Sequence, residues 1–263
     1  MNVNQENSHT VLVDRYRKAA ELSDSSAGYK GLAIHALPGL HEYLFAQVSK
    51  HCQSRGEVLD LAAGTGAMSL RLADVGFQVT ATDYVSENFR LHDSVPFFAC
   101  DLNDDFSNGR EGQFDTIMAS EIIEHLENPR HFARECFKLL RHGGKLVLST
   151  PNVDSVASIV STLRTGTFQW FGDVEYSRDG HITPLTQWQI DKCFTEAGFT
   201  FLWAGSYGDP YGKLRGSPRL LMLGRLMSRL MALKEGLRGQ IFVAVLKKAR
   251  RDPGELASVG RTS

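Results

Sequence analysis

A chain of 263 residues is long enough for one large domain or for one domain with an insertion. Its composition, 42% hydrophobic and 22% charged with a formal net charge of −1, is that of an ordinary globular protein. The charge is uneven, because Lys213 to Arg251 hold eleven Lys or Arg and one acid, Glu235, whereas the remainder holds 18 basic and 29 acidic residues. This asymmetry predicts an anionic partner surface for the C-terminal segment, either phospholipid or nucleic acid.

The sequence pattern predicts neither a membrane-spanning nor a secreted protein. No uncharged apolar run approaches the roughly 20 residues that cross a bilayer, and the start, MNVNQENSHT, lacks the basic and apolar regions of a secretion signal. The four cysteines fit neither a zinc nor a redox CxxC spacing. We therefore expect reduced thiols in a cytoplasmic protein.

Strand and helix patterns alternate along the chain. The helical patterns are GAMSLRLADV, a helix through Leu140 that begins at the cap pair Asn128-Pro129 and is ended by Gly143-Gly144, and a helix from about Gln187 to Ala197. The strand patterns are, in chain order, EVLDLA (57–62), FQVTATD (77–83), VPFFACD (95–101), FDTIMA (114–119), KLVLST (145–150), FTFLWAG (199–205) and GQIFVAVLKK (239–248).

This alternation predicts an α/β fold with a mostly parallel sheet of seven strands and helices on both faces. The last two strands lack a helical crossover, so they are expected to form an antiparallel pair with an insertion at its tip. Ligands of such sheets bind beyond the carboxyl ends of the strands. A site is therefore expected at that edge.

A turn of small residues, Ala62-Ala63-Gly64-Thr65-Gly66, separates the first strand from the first helix. Gly64 and Gly66 allow a tight bend and close approach of a ligand, and the following helix N-terminus offers free N–H groups to an anion. Asp83 ends the next strand, where it can accept hydrogen bonds from ribose hydroxyls. Asp101 ends the third strand, where it can accept one from an adenine amino group.

The loop does not match a nicotinamide dinucleotide site. That site needs G-x-G-x-x-G, whereas this loop begins with Ala62 and has Ser69 at the last glycine position. The acid before the loop, Asp60, suits a cationic cofactor better than a pyrophosphate.

Four motifs, DLAAGTG, ATDY, ACDLND and FDTIMASEIIEHLENP…LLRHGGKLVLSTPN, occur in this order and spacing. Together they resemble the class I S-adenosylmethionine (SAM)-dependent methyltransferases, over residues 55 to 205 and the final strand. The resemblance implies a Rossmann-like sheet with an antiparallel last strand, and SAM as the cofactor. The cofactor-binding residues that it implies are Asp60, Ala62, Ala63, Gly64, Gly66, Asp83, Tyr84, Asp101, Leu102 and Ser120.

The segment SEIIEHLENP presents Glu121, Glu124 and His125 directly after the fourth strand. If 121–126 form a helical turn, these three side chains share one face. Three interpretations stay open: Glu124 and His125 brace the loop while only Glu121 faces the cofactor, or His125 or His181 acts as a general base, or a divalent cation (Mg or Mn) is held by Glu121, Glu124, His125 and His181. The third interpretation follows two resemblances. The E-x-x-E-H motif resembles that of ubiquinone-pathway O-methyltransferases, and the set of two glutamates and two histidines resembles the metal ligands of small-RNA 3′-end 2′-O-methyltransferases.

The aromatic residues after the fifth strand, Phe168, Trp170, Phe171 and Tyr176, are expected on a loop, where they form an acceptor lid or pack a satellite core. The segment 218–237 predicts an amphipathic basic helix, with an apolar face opposite Arg225, Ser228 and Arg229. Contact with a membrane surface through 216–236, a homodimer interface, and packing onto the body remain open. The predicted apolar face consists of Leu220, Leu223, Leu226, Met227, Leu230 and Met231.

The predicted organisation is an N-terminal helical cap (1–54), a methyltransferase domain (55–248) and a flexible tail (249–263). The domain includes the aromatic lid 151–181 and the basic insertion 206–238. We predict O-methylation of a small molecule or of a glycan- or lipid-linked acceptor, as in the bacterial enzymes that the motifs resemble. A metal-dependent RNA 2′-O-methyltransferase and a non-catalytic SAM-binding regulator are the alternatives.

Overall fold

The computed structural model describes residues 28–52, 54–230 and 235–249. Residues 1–27 of the predicted N-terminal cap and residues 250–263 of the predicted tail lie outside the described residues, as does Met231 of the predicted apolar face.

The described chain contains a sheet of seven strands. They are β3 (Glu57–Leu61), β4 (Gln78–Asp83), β5 (Phe97–Ala99), β6 (Phe114–Ser120), β7 (Leu140–Pro151), β8 (Phe199–Tyr207) and β9 (Ile241–Lys248). Their order in the sheet is β5-β4-β3-β6-β7-β9-β8. Neighbours from β5 to β7 are parallel, whereas β9 is antiparallel to both β7 and β8. The predicted α/β class and the antiparallel last strand are therefore confirmed.

Two further strands, seven α-helices and four short 3₁₀ helices complete the described elements. The short strands β1 (Gly28–Tyr29) and β2 (Leu32–Ala33) form an antiparallel pair of their own. The helices are α1 (Leu40–His51), α2 (Ala67–Ala73), α3 (Pro129–Leu139), α4 (Val156–Thr165), α5 (Asp173–Asp179), α6 (Gln187–Ala197) and α7 (Pro218–Leu230).

The sheet has a hydrophobic core on each face, because alternate strand residues point to opposite sides. On β6, Ile117 packs in the cluster that includes Phe132 of α3 and Phe194 of α6, whereas the adjacent Met118 packs in the cluster that includes Leu44 of α1 and Leu72 of α2. This two-sided burial explains the uninterrupted apolar runs in the sequence. It also fixes the register that sets the carboxyl ends of the strands at one edge.

The boundary between α3 and β7 differs from the prediction. The helix ends at Leu139, and Leu140 already has an extended backbone and pairs with Phe114 of β6. Gly143 and Gly144 therefore lie inside β7, where the register shifts. A Cβ on Gly144 would lie 2.9 Å from the Arg141 carbonyl oxygen, so the glycine permits this irregularity.

The predicted aromatic loop was wrong in part, because the segment contains the helices α4 and α5. The Ser155 hydroxyl accepts a hydrogen bond from Ser158 N and so caps α4. Phe168, Trp170 and Phe171 lie between the two helices, whereas Tyr176 lies on α5.

The predicted single apolar face of α7 is divided in the structure. Leu220, Leu223 and Met227 pack against α4, whereas Leu226 and Leu230 are exposed. Ser228, expected on the polar side, is buried and accepts a hydrogen bond from Arg238 Nη1 at 3.0 Å. Within the described ranges, helices are too short and too polar to traverse a bilayer.

Candidate active site

A cavity of about 820 Å³ opens at the carboxyl ends of β3, β4 and β6. One part of the lining is formed by the turn after β3 and by the ends of β4 and β5, and another by the turn after β6 and by the end of α5. The segment 33–37 contributes a third wall. Its volume lies within the roughly 300–1,000 Å³ that small-molecule sites occupy.

The turn after β3 is held open towards the cavity by its backbone conformation. Ala62 and Gly64 have φ angles of 56° and 55°, and Gly64 N donates to Asp83 Oδ2 at 2.7 Å. A Cβ added at Gly64 would meet nothing within 4 Å, so the space beside this glycine is free for a ligand. The sequence pattern did not predict that Ala62 would take the left-handed conformation.

Gly66 has a different role from the predicted one. It does not line the cavity; it is the N-cap of α2 with a φ of 91°. A Cβ there would lie 2.9 Å from side-chain atoms of Leu91 and Phe89. The structure therefore explains this glycine by packing against Leu91 and Phe89 and by the cap of α2. The other predicted cofactor residues all line the cavity: Asp60, Ala62, Ala63, Gly64, Asp83, Tyr84, Asp101, Leu102 and Ser120.

Asp60 is the most deeply buried acid of this wall. It is 2% exposed and accepts a hydrogen bond from Ser69 Oγ at 2.6 Å. Burial, reinforced by the charge of Asp83, raises the pKa of the Asp60 carboxyl to about 7, against the opposing effect of Ser69. A cationic ligand in the cavity would favour the ionised carboxylate, so this residue fits the sulfonium or ammonium group of SAM.

Asp83 and Asp101 are positioned by backbone groups. Asp83 accepts from Gly64 N and, through Oδ1, from Val85 N at 3.1 Å, while burial raises the pKa of its carboxyl. Asp101 Oδ1 accepts from Asn103 N at 2.8 Å. Both carboxylates are thereby fixed at the cavity wall, where they can accept further hydrogen bonds from ribose and adenine groups.

The turn after β6 is not the predicted helical turn. Glu121 has a φ of 49°, and only Ile123–His125 form a short 3₁₀ turn. Glu121 Oε1 accepts from Ser149 Oγ at 2.8 Å, and Glu121 N donates back to the same hydroxyl at 3.1 Å. Glu121 lines the cavity, and burial raises the pKa of its carboxyl to about 7.

Three of the four predicted metal ligands converge at this wall. One ligand atom from each of Glu124, His125 and His181 lies within 4.8 Å of the other two. Glu124 is fully buried; its Oε2 accepts from Thr150 Oγ1 at 2.9 Å, and its Oε1 has no hydrogen-bond partner. Glu121, held by Ser149, is not part of this cluster.

The protonation of the cluster follows from its burial. Burial, with the charge of Glu121, raises the pKa of Glu124 well above its usual value. The pKa of His125 is lowered to about 3, first by burial and then by the nearby His181, and the pKa of His181 is also lowered by burial. Two neutral imidazoles and a carboxyl oxygen without a partner form a donor set that a divalent cation fits.

A hydrogen bond to the main chain determines the tautomer of His181. His181 Nδ1 lies 2.8 Å from the Trp170 carbonyl oxygen, and only a protonated Nδ1 can donate to it. The neutral ring therefore keeps its lone pair on Nε2.

A sequence profile described as a methyltransferase domain matches residues 33–203. This chain belongs to the methyltransferase domain family. Among curated proteins, the ubiquinone biosynthesis O-methyltransferase of Xanthomonas euvesicatoria pv. vesicatoria (strain 85-10) is 38% identical over 128 residues, 45% of this chain and 52% of that relative. The protein of the same name from Xanthomonas axonopodis pv. citri (strain 306) is 35% identical over 127 residues, with the same coverage. The chain thus spans about half the length of the curated relatives it matches.

Solved structures agree on the fold. A SAM-dependent methyltransferase from Archaeoglobus fulgidus has a TM-score of 0.57 at 16% identity, covering 79% of this chain and 94% of that one. The [4+2]-cyclase SpnF has a TM-score of 0.56 at 13% identity, covering 92% and 94%. With the profile match, these findings confirm the predicted class I SAM-dependent methyltransferase fold and its cofactor.

Two cavity residues of this methyltransferase, Arg178 and Asp179, carried no sequence signal, and His35 and His41 belong to the predicted N-terminal cap but were assigned no role. His35, His41, Arg178 and Asp179 line the cavity, as does the segment 33–37. Thr150 stands in the quoted motif STPN, but its contact with Glu124 depends on the pairing of β6 with β7. The only sequence indication of this contact was that Thr150 lies near the end of β7, the strand that pairs with the one preceding the glutamates.

Proposed function

We propose that this methyltransferase transfers the methyl group of SAM to a hydroxyl oxygen of a small amphiphilic acceptor. The observation that carries the proposal is the cluster of Glu124, His125 and His181, whose histidines line the same cavity as Asp60 and Asp83. SAM supplies a methyl group activated by a sulfonium. An alcohol needs help to lose its proton as it attacks that group, whereas an amine does not.

The chain contributes cofactor binding in one part of the cavity and a candidate cation ligand in another. Asp60 would face the positive charge of the cofactor, and Asp83 would accept hydrogen bonds from its ribose hydroxyls. Asp101 and Leu102 would border the adenine. On the wall formed by the turn after β6, His181 Nε2 carries the lone pair of the neutral ring, because Nδ1 is committed to the Trp170 carbonyl, so Nε2 is the nitrogen available to the cation proposed below.

We also propose that Glu124, His125 and His181 hold a divalent cation. Such an ion would lower the pKa of the acceptor hydroxyl. Two imidazole donors suit Mn²⁺ better than Mg²⁺, which prefers ligands made of oxygen alone. Glu121 is left beside the cofactor, since Ser149 occupies one of its oxygens.

The kind of acceptor is supported by the relatives and by the surface of α7. The curated relatives are named as O-methyltransferases of ubiquinone biosynthesis, which favours a small molecule. On α7, Met222, Leu226 and Leu230 are 71%, 52% and 73% exposed. Arg219, Arg225 and Arg229 are exposed among them, so the six side chains share a sector of about 140° at 3.6 residues per turn.

This mixed stripe is typical of a helix that lies at the surface of an anionic membrane. No acid interrupts it along Pro218–Leu230. We therefore propose a cytoplasmic protein that docks on phospholipid through α7 and takes a membrane-borne acceptor.

Methyl-labelled SAM, incubated with the protein and fractionated cell extract, tests the reaction. Label is expected in the lipid or small-molecule fraction and should fall at least 100-fold with His181→Ala, while the exposed His142→Ala serves as the matched control. Label in RNA would favour the alternative function, methylation of RNA at the 2′-hydroxyl. Cofactor binding without label in any fraction would favour a non-methylating protein, a role consistent with the fold shared with a cyclase.

Two further assays test the cation and the membrane. Chelation with EDTA should abolish turnover, and Mn²⁺ should restore it; activity that survives in chelator contradicts the cation.

Co-sedimentation with phosphatidylglycerol vesicles should drop at least tenfold in the double variant Leu226→Ser, Leu230→Ser. Leu202→Ser on the edge strand β8 is the control, and a dimer that becomes monomeric in the double variant would favour the dimer interface instead.

A further inference from the structure

We infer that Thr150 is a positioning residue that directs one oxygen of Glu124 towards His125 and His181. The inference rests on the cation site proposed above, and it concerns how this chain builds that site. Nothing in the sequence motifs assigns Thr150 a part in it.

The contact between Thr150 and Glu124 is enclosed by the core. Thr150 is 1% exposed and Glu124 is fully buried, so no solvent competes for the hydrogen bond from Thr150 Oγ1 to Glu124 Oε2. Oε2 is thereby occupied, and Oε1 is the carboxyl oxygen that remains without a partner. Because Oε1 is buried, it keeps a fixed direction relative to the two imidazoles.

The hydroxyl of Ser149, next to Thr150 in the chain, holds the carboxyl of Glu121 in the same way. Ser149 Oγ donates to Glu121 Oε1, and adjacent residues of a strand point to opposite faces. Ser149 and Thr150 therefore direct Glu121 and Glu124 to different surroundings: Glu121 lines the cavity, whereas Glu124 does not line it and lies beside the two histidines that do. This division explains why only one of the two glutamates joins the cluster.

The two loops that carry the cluster are also joined through their backbones. The Glu124 carbonyl oxygen accepts from Ile182 N at 3.1 Å and from Thr183 N at 2.9 Å. These bonds hold His181 beside the turn that carries Glu124 and His125. With the backbone fixed in this way, the Glu124 carboxyl can change direction only by rotating its side chain, and the Thr150 hydroxyl opposes that rotation.

Thr150 itself is well anchored. It pairs with Phe242 of β9 in the interior of the sheet. Replacing it with valine keeps the volume and removes the donor, so the carboxyl becomes free to turn away from the imidazoles. Losing a hydrogen bond to a metal ligand costs roughly 10- to 100-fold in metal affinity.

Titration of the metal-free protein with Mn²⁺, followed by the electron paramagnetic resonance signal of the free ion, measures that affinity. We expect Thr150→Val and Thr150→Ala to weaken Mn²⁺ binding about tenfold or more, and Thr150→Ser to restore it. The affinity for S-adenosylhomocysteine, measured by calorimetry, should stay within about twofold of the wild type, since Thr150 does not line the cavity. Thr116→Val is the matched control, because Thr116 is a buried threonine near the start of β6, away from the cluster.

The outcomes separate this inference from the function on which it rests. A wild-type protein that binds no Mn²⁺ at millimolar concentration refutes the cation site and this inference with it. If Glu124→Gln removes binding while both Thr150→Val and Thr150→Ala bind Mn²⁺ like the wild type, Thr150 does not position Glu124. A parallel loss of Mn²⁺ and S-adenosylhomocysteine binding would indicate general destabilisation and would also overturn the inference.

Discussion

Replacing Asp60 with asparagine should stabilise the ligand-free protein, and by more at high pH than at low pH. Burial raises the pKa of this carboxyl from 3.8 to about 7. Between these two values the folded protein binds a proton that the unfolded chain has released, so the stability of the wild type falls as pH rises through that window and is constant above it. The amide of asparagine keeps an acceptor for Ser69 Oγ and carries no charge.

The size of the effect follows from the shift. One unit of pKa corresponds to 1.36 kcal/mol, so the gain in the free energy of unfolding should be about 2 kcal/mol at pH 5 and about 4 kcal/mol above pH 7. Asp60 is 2% exposed, so solvent screening does not reduce the figure. At roughly 2–4 °C per kcal/mol, the melting temperature at pH 8 should rise by about 10 °C.

Urea unfolding of the wild type and of Asp60→Asn at pH 5 and pH 8, without cofactor, measures both gains. Asp74→Asn is the control of opposite sign, because hydrogen bonds from Lys30 and Tyr29 lower the pKa of the Asp74 carboxyl. Saturating SAM should add less stability to Asp60→Asn than to the wild type, since the variant has lost the negative charge that faces the cofactor. A gain that is equal at the two pH values would refute the assignment of a buried, protonated Asp60.

Three other substitutions test the cofactor wall. Asp83→Ala should weaken S-adenosylhomocysteine binding at least tenfold by calorimetry, since it removes the acceptor for the ribose and the partner of Gly64 N; an unchanged affinity would contradict the cofactor geometry. Gly66→Ala should lower the free energy of unfolding by about 1–3 kcal/mol, because the new Cβ meets Leu91 and Phe89 at a positive φ. Gly216→Ala is the control: it has open space around it and should change the free energy of unfolding by less than about 0.5 kcal/mol. Thr65→Val should weaken cofactor binding several-fold through the loss of its hydrogen bond to the Ala33 carbonyl, and stopped-flow release of cofactor should become faster; an unaltered release rate would show that this bond does not hold the wall.

The sheet could be predicted from the sequence because its signals are local. Apolar runs such as FDTIMA, followed by turn residues and helix caps, specify strand and helix without reference to the rest of the chain. The acids Asp60, Asp83 and Asp101 follow from the same reasoning, since a parallel sheet brings its strand ends to one edge. All three line the cavity.

The parts that could not be predicted depend on partners distant in the chain. Glu121 and Glu124 are four residues or fewer from His125, and sequence spacing suggested one shared face. The structure separates them because Ser149 and Thr150, from another strand, each hold one carboxyl. Gly66 matches a ligand-binding glycine in sequence, yet its constraint comes from the side chains of Leu91 and Phe89.

The wall made by residues 33–37 has a consequence for how ligands enter and leave. The Thr65 hydroxyl donates to the Ala33 carbonyl at 2.7 Å and the Tyr207 hydroxyl to the Pro38 carbonyl at 2.6 Å, and Ala36 and Leu37 add partly buried contacts. Each such hydrogen bond contributes about 1 kcal/mol, far less than the cooperative pairing of the central strands. This segment is therefore the part of the cavity that can open without unfolding the sheet. Exchange of cofactor for product would then follow the opening rate of a short piece of chain.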